Sequence, residues 1–401
     1  MSLNEVVMVS ACRTAIGSFF GSLKDITARQ LAIIVGSEAI KRAAIPASLV
    51  DEICLAEVFP HGEGSLPARQ VSMRIGMEAR SGAVNIHQNC ASAMRALEVA
   101  SHNIMLGKTD IALVVGTESM TRIPHILIGA RGGYRLGPGR VEDAMLFDGL
   151  VDEQVPGHMG LTAENVAEKY GITREQCDEL ALISHQRAAK AVAEGVFSRE
   201  IVPVEIKSKK GPVQYVTDEH LIPNASMEAL AKLPSAFKKG GVVTAGNASG
   251  INDGAAAAIL MSKKKSKELG ITPLMKLVNV CSEGVEPPLM GLGPAVAIPK
   301  CLKQAGWNFA DVEYWEVNEA FAAQWLGVGV QLKQEYGMDL NLDKVNHNGS
   351  GIALGHPVGC TGMRIIVSMY YEMERLGLTR GGASLCVGGG AAMASLWTRD
   401  V

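Results

Sequence analysis

A chain of 401 residues is long for one hydrophobic core and is expected to divide into two or three domains. Its 38 Lys and Arg against 41 Asp and Glu give a net charge of −3, which excludes the basic footprint of a nucleic-acid binder. The cysteines are few and scattered with no Cys-x-x-Cys pair, which excludes a disulfide framework and argues against a structural zinc site. No apolar run is long enough to span a bilayer. The opening Met-Ser-Leu-Asn-Glu-Val-Val has neither the pattern of a secretory leader nor that of a transit peptide, so a reduced, cytoplasmic enzyme is expected.

Residues 6–11 read as a buried strand, followed by a helix over 28–43 with apolar residues at Leu31, Ile34, Val35 and Ile40. Strands are expected at 53–59 and 83–86, the second running straight into Cys90. From there Met94, Leu97, Ala100 and Ile104 fall at helical spacing, Gly107 closes the helix, and another strand covers 111–115. This alternation predicts an α/β fold whose parallel strands are covered by helices. Regularity breaks near Met120, and the stretch to about Gly250 reads as a long insertion with helices at 162–170 and 174–195. The small-residue run 255–262 is expected to return and complete the first sheet. The lysine runs 207–210 and 263–267 read as solvated surface, the first with the alternative of meeting a ligand's phosphates.

The chain then repeats itself. Cys90-Ala-Ser-Ala-Met-Arg-Ala-Leu97 returns as Gly359-Cys-Thr-Gly-Met-Arg-Ile-Ile366, with an offset of 363 − 94 = 269 between the methionines. Ala-Leu-Val-Val-Gly116 returns as Ser-Leu-Cys-Val-Gly388, the strand ending at Cys12 has a counterpart ending at Cys281, and Glu57-Val-Phe59 is echoed by Glu319-Ala-Phe321. Four matches in one order at nearly one offset imply two copies of one α/β unit, with candidate catalytic residues from both.

Four constellations carry chemistry. Cys90 sits where a strand gives way to a helix, whose unpaired N–H groups are expected to stabilise a thiolate; the alternative is an inert buried cysteine. Asn348-Gly-Ser-Gly-Ile-Ala-Leu-Gly-His-Pro-Val-Gly359 surrounds His356 with glycines, and Pro357 forces His356 towards an extended backbone; the imidazole is the obvious base for a thiol. Cys386-Val-Gly-Gly-Gly390 ends a strand, offering a second thiol and, at Gly388, a backbone N–H for an anionic oxygen; a plain core cysteine is the alternative. Asn318-Glu-Ala-Phe321 heads a helix, where Asn318 is either an N-cap or the holder of a carbonyl-polarising water.

Together these resemble the thiolase family. Gly116-Thr-Glu-Ser-Met-Thr-Arg-Ile-Pro-His125, His158-Met-Gly-Leu-Thr-Ala-Glu-Asn165 and Val243-Thr-Ala-Gly-Asn-Ala-Ser-Gly-Ile-Asn-Asp-Gly254 are similar to further family signatures, and the match spans essentially the whole chain. The resemblance is strongest to the acetyl-CoA acetyltransferases. It implies a duplicated thiolase fold: two similar α/β halves in a five-layer αβαβα arrangement with an inserted loop domain. The halves would be 1–120 with 250–272, and 273–401; the loop domain, 121–249, would serve CoA binding and tetramerisation. It also implies reversible condensation of two acetyl-CoA to acetoacetyl-CoA and CoA through an acyl-Cys90 intermediate. His356 would accept the thiol proton and Cys386 the α-proton, while His356 and a water on Asn318 hold the enolate oxygen. Backbone N–H groups of Cys90 and Gly388 would hold the acyl oxyanion. CoA contacts carry over to His158, Met159, Ala245 and Ser249, with Met290 and Phe321 lining a pantetheine tunnel. Coenzyme A enters as substrate and product; no permanent cofactor, metal, nucleic acid or membrane is implied, and a homotetramer built as a dimer of dimers is.

The chain departs from the family pattern at several places. Ile222 and Ala229 stand where the family commonly has an arginine and a serine at the CoA adenine end, with Lys238 or Lys239 as nearby substitutes. His87, Ala93, His347 and Ser350 are further departures, expected to cluster at the acyl pocket. The rivals are a 3-ketoacyl-CoA thiolase of fatty-acid β-oxidation with longer-chain preference, a ketoacyl-synthase-like condensing enzyme, and a non-catalytic acyl-CoA-binding protein. The second would need a Cys-His-His set, and the third the loss of Cys90, His356 or Cys386. The segment 131–150 looks like the short-chain, tetramer-forming type.

Overall fold

The computed structural model describes residues 3–155, 157–209 and 211–401; Met1, Ser2, Pro156 and Lys210, the last residue of one lysine run, lie outside the described residues. Its main sheet runs, edge to edge, Tyr314–Val317, Arg380–Val387, Ala391–Thr398, Met275–Gly284, Val6–Thr14, Asn252–Ser262, Ile111–Ser119, Glu52–Ala56 and Gly82–Ile86. The second-half and first-half portions meet where Val7 and Met8 pair with Lys276 and Met275, so the junction is two residue pairs long. The four strands common to both halves come in the same order, the first half adding Gly82–Ile86 at its outer edge, and each half carries its irregularity at the same place. The ladder slips between Met8 and Ser10 in the first half and between Leu277 and Asn279 in the second, again offset by 277 − 8 = 269. A bulge that recurs with the repeat is a property of the duplicated unit.

The sheet is mixed, which corrects the expectation of parallel strands. Asn252–Ser262 does return to complete the first half, between Val6–Thr14 and Ile111–Ser119, but it runs antiparallel to both. Ala391–Thr398 does the same in the second half. The strand alternation that sequence periodicity detects is blind to chain direction.

Strand side chains alternate between two helix layers. Leu113 and Val115 pack outward against Leu31 and Val35 of the helix Ala28–Arg42, while Val114 points inward. The inner layer is made of the helices Ser92–Met105 and Val358–Leu376, whose Met94, Leu97, Met363 and Ile366 share one core with Val114, Leu385 and Trp397. That core touches both half-sheets at once. Pro294–Ala305 and Ala322–Tyr336 cover the far face of the second half through Ile298, Leu302 and Val328. Helix, sheet, helix, sheet, helix is the resulting order of layers. No helix among the described residues is long and apolar enough to cross a membrane.

Close approach of the two inner helices to each other, and of the strand Ile111–Ser119 to both, depends on missing side chains. A Cβ at Gly362 would lie 2.7 Å from Met94 N, and one at Gly116 would lie 2.6 Å from Ala93 Cβ. Both positions are therefore restricted to glycine by contact rather than by backbone angle.

The insertion, whose helices are Met159–Tyr170 and Arg174–Ala193, is tied back to the first strand. Ile201 and Val202 pair in parallel with Arg13 and Thr14, on the stretch of strand that Met275–Gly284 leaves uncovered. The Arg13 guanidinium is fully buried, with Nε 2.6 Å from Glu200 and Nη1 and Nη2 at 2.7 and 2.9 Å from the two oxygens of Asp218. Removing one member of such a cluster leaves uncompensated buried charge. Arg13→Met is expected to destabilise the protein by about 3–5 kcal/mol, seen as a lowered urea midpoint, and an unchanged midpoint would show that the cluster contributes nothing net.

Candidate active site

Cys90 lies in the turn just before the helix Ser92–Met105, not within it. The preceding Asn89 takes a left-handed backbone (φ 44°) and its Nδ2 donates to Gly388 O at 3.0 Å, bonding the first half to the second. Ser92 Oγ closes the turn by donating to Asn89 O at 2.7 Å and accepting from Gln88 N at 2.8 Å. The equivalent residue of the second copy, Thr361, holds His356. Its hydroxyl donates to Pro357 O at 3.0 Å and lies 2.6 Å from His356 Nδ1. Because the single hydroxyl proton is used on Pro357, Nδ1 must be the donor to Thr361, which leaves a lone pair on Nε2. Nε2 is buried and has no partner among the described residues. The backbone N–H of His356 donates to Asn252 Oδ1 at 2.9 Å, fixing the loop from the first half.

Cys90, His356, Cys386 and Gly388 line one cavity of about 470 Å³. His158, Met159, Ala245, Ser249, Met290 and Phe321 line it too, so residues expected from both copies and from the insertion converge. Asn318 does not. It is fully buried, its Oδ1 3.5 Å from Arg364 Nη2 and its Nδ2 without a partner among the described residues. Nor is it an N-cap: the helix begins at Ala322, with Phe321 at the cap. His158 caps its own helix, Nδ1 accepting from Gly160 N at 3.0 Å, and its ring stacks on Phe237 with centroids 4.6 Å apart.

Residues 6–264 match the family described as the thiolase N-terminal domain, and residues 271–399 match the thiolase C-terminal domain. This chain belongs to the thiolase family. The acetyl-CoA acetyltransferase of Syntrophomonas wolfei subsp. wolfei is 48% identical over 97% of this chain and 98% of that protein. A solved structure of acetyl-CoA acetyltransferase from Syntrophomonas wolfei is 65% identical with a TM-score of 0.98, covering 99% of this chain and all (100%) of that one. The human mitochondrial 3-ketoacyl-CoA thiolase structure is 38% identical with a TM-score of 0.95, covering 99% and 100%.

The electrostatics of the thiolase site differ from the sequence expectation. Burial pushes the Cys90 thiol up to about 11, with the N–H groups of Gly388 and of Cys90 itself pulling the other way. Burial, helped by the Arg364 charge, pushes His356 down to about 3. Cys386 is raised by burial and then by the neighbouring Cys90. The resting site thus holds neutral thiols and a neutral imidazole rather than a thiolate. Cys90 precedes the first turn and stays half-buried, and the helix end there does not offset the desolvation of its sulfur.

Several site residues escaped the sequence reading. Glu118, inside the quoted Gly-Thr-Glu-Ser motif, accepts from Val58 N at 3.0 Å, Phe59 N at 3.2 Å and Gly359 N at 2.9 Å. Burial raises its carboxyl to about 7. Arg364, fully buried between Glu316, Asn318 and Ser350, stood in the quoted repeat as the counterpart of Arg95 but was given no role there. His220, Phe237, Val58 and Phe59 also line the cavity. The expected cluster of departures at the acyl pocket is not there, since none of His87, Ala93, His347 or Ser350 lines the cavity. His347 bonds Glu372 at 3.0 Å and Asp343 O at 2.7 Å, and Ala93 packs under Gly116. Ile222 and Ala229 are exposed, and Lys238 is paired with Glu168 at 3.0 Å.

With Cys90 near 11 in the free protein, its thiolate fraction climbs tenfold per pH unit below that value. Alkylation of Cys90 by iodoacetamide is expected to accelerate steadily from pH 7 to 10, followed by peptide mass spectrometry. A rate already level at pH 7 would mean a preformed thiolate.

Proposed function

We propose that the protein catalyses the reversible Claisen condensation of two acetyl-CoA to acetoacetyl-CoA and CoA. The observation that carries this reading is two thiols and an imidazole with a free Nε2 sharing one cavity, drawn from both copies of the repeat. Names of relatives that match over nearly the full length support the same substrate class.

In the first half-reaction His356 Nε2 takes the Cys90 proton as the sulfur attacks the acetyl-CoA carbonyl. The oxyanion is received by the N–H groups of Cys90 and Gly388, a kind of donor whose loss typically costs about 100- to 1000-fold in rate. Collapse breaks the bond to the CoA sulfur, which takes the Cys386 proton and departs. Acetyl-Cys90, a Cys386 thiolate and an imidazolium remain. In the second half the Cys386 thiolate takes an α-proton from another acetyl-CoA. Its raised proton affinity suits so weak a carbon acid. The enolate oxygen rests against His356 Nε2–H. The enolate carbon attacks the acetyl carbonyl, the bond to Cys90 breaks, and His356 returns the proton to that sulfur. Thiolysis is the same sequence reversed.

His158, Met159, Ala245 and Ser249 would contact CoA, with Met290 and Phe321 along the pantetheine arm. A longer-chain 3-ketoacyl-CoA thiolase is the second reading, supported by the human structure of that name, though at lower identity. We also infer a cytoplasmic homotetramer, the insertion 121–249 serving CoA binding and assembly. Supporting assembly are the exposed Leu127, Leu136, Val141 and Phe147 in that insertion. Light scattering is expected to report four chains; a monomer would remove the assembly.

Cys386→Ser is expected to lower condensation and acetoacetyl-CoA thiolysis by at least about 100-fold while Cys90 still takes label from radioactive acetyl-CoA. A variant that condenses normally would remove Cys386 from the proton transfer, and wild type without acetoacetyl-CoA thiolysis would overturn the function.

A further inference from the structure

The cavity has two apolar ends, and the two thiols belong to different ones. Cys386 is buried in the cluster that contains Met159, Met290 and Phe321. Cys90, half-buried, packs both against the inner core of Ala93, Met94 and Leu97 and against a smaller cluster of Val58, Phe59, Met120, Met145 and Val358, joined by Leu150 and Ile251. Of these two only the smaller cluster lines the cavity, through Val58, Phe59, Met120 and Val358, so it is the apolar wall that an acyl group on the Cys90 sulfur can meet.

Phe59 is the largest side chain of that small cluster and is only 4% exposed. Its position is fixed from two directions. Backbone N–H groups of Val58 and Phe59 both donate to the buried Glu118 carboxyl, so the segment cannot shift without breaking two hydrogen bonds. The ring itself lies directly against the backbone of Gly149: a Cβ there would sit 2.3 Å from Phe59 Cζ and 2.8 Å from Cε1. Phe59 and Gly149 both line the cavity and form one continuous wall. Protein interiors yield little to an extra methylene when the contacting group is held by packed backbone.

We propose that Phe59, seated against Gly149, sets the length of acyl chain that Cys90 can carry, with acetyl fitting and longer chains meeting the ring. The inference rests on the thiolase reading above and adds to it the residue that decides among acyl substrates. Phe59 acts by occupying space beside the acyl group. The sequence departures suspected of tuning the acyl pocket lie elsewhere, so they leave this wall unexplained.

The test is thiolysis of 3-ketoacyl-CoAs of four, six and eight carbons by wild type, Phe59→Ala and Phe59→Leu, with kcat/KM for each. Wild type is expected to fall steeply after four carbons. Phe59→Ala is expected to raise the ratio of six- to four-carbon kcat/KM by about tenfold or more, the scale of one or two methylenes in an apolar pocket. Phe59→Leu keeps an apolar core residue and supplies the answer if the alanine variant does not fold; its ratio should rise as well, by less. A folded variant with an unchanged ratio, or wild type that cleaves eight carbons as fast as four, overturns the role of Phe59. Wild type that cleaves none of the three overturns the thiolase reading instead.

Discussion

The whole arrangement depends on how closely the N-terminal ends of the two inner helices approach. Ser92–Met105 and Val358–Leu376 are the same helix of the repeated unit, used once in each copy. Gly362 against the Met94 backbone lets them meet at a distance that any side chain would forbid, and Gly116 of the strand Ile111–Ser119 makes room for Ala93 and for the backbone of Gly359 and Cys360 above it. That contact carries the turn holding Cys90 and the loop holding His356 to opposite sides of one space. Glu118 then locks the geometry, because one carboxyl receives N–H groups from Val58, Phe59 and Gly359, segments from both copies. A carboxyl saturated with backbone donors is a rigid clamp between chain segments that share no covalent neighbourhood.

Burial by this contact also decides the electrostatics. Desolvation of the half-buried Cys90 sulfur and of the buried His356 ring favours the neutral forms of both. Charge then develops only as the substrate arrives and offers a carbonyl oxygen to the N–H groups of Cys90 and Gly388. The cost of making charge in a dry site is offset by dipoles already pointing at it, which is the arrangement that favours a transition state over a ground state. Thr361 completes this by leaving His356 one ring nitrogen without a partner among the described residues.

The duplication, the chemical residue types and most elements were legible in the sequence. Cys90, His356, Cys386 and Gly388 all stand in short local motifs, and the helix 92–105 follows from Met94, Leu97, Ala100 and Ile104. Strand direction was not legible, because an antiparallel strand such as Asn252–Ser262 has the same alternation as a parallel one. The protonation states were misread as well: the position of Cys90 near a helix end suggested a stabilised thiolate, and burial reversed the sign. Departures at His87, His347 and Ser350 looked like pocket changes because they neighbour catalytic residues in sequence, yet the chain turns their side chains elsewhere.

By itself the sequence determined which groups are available and that they come in two related sets, since residue identity and repetition are one-dimensional properties. Tertiary structure alone decided which of those groups share a cavity, how dry it is, and which ring faces the acyl end. Those depend on contacts between residues far apart in the chain, such as Phe59 with Gly149 and Asn89 with Gly388, and no local pattern encodes a contact between distant segments.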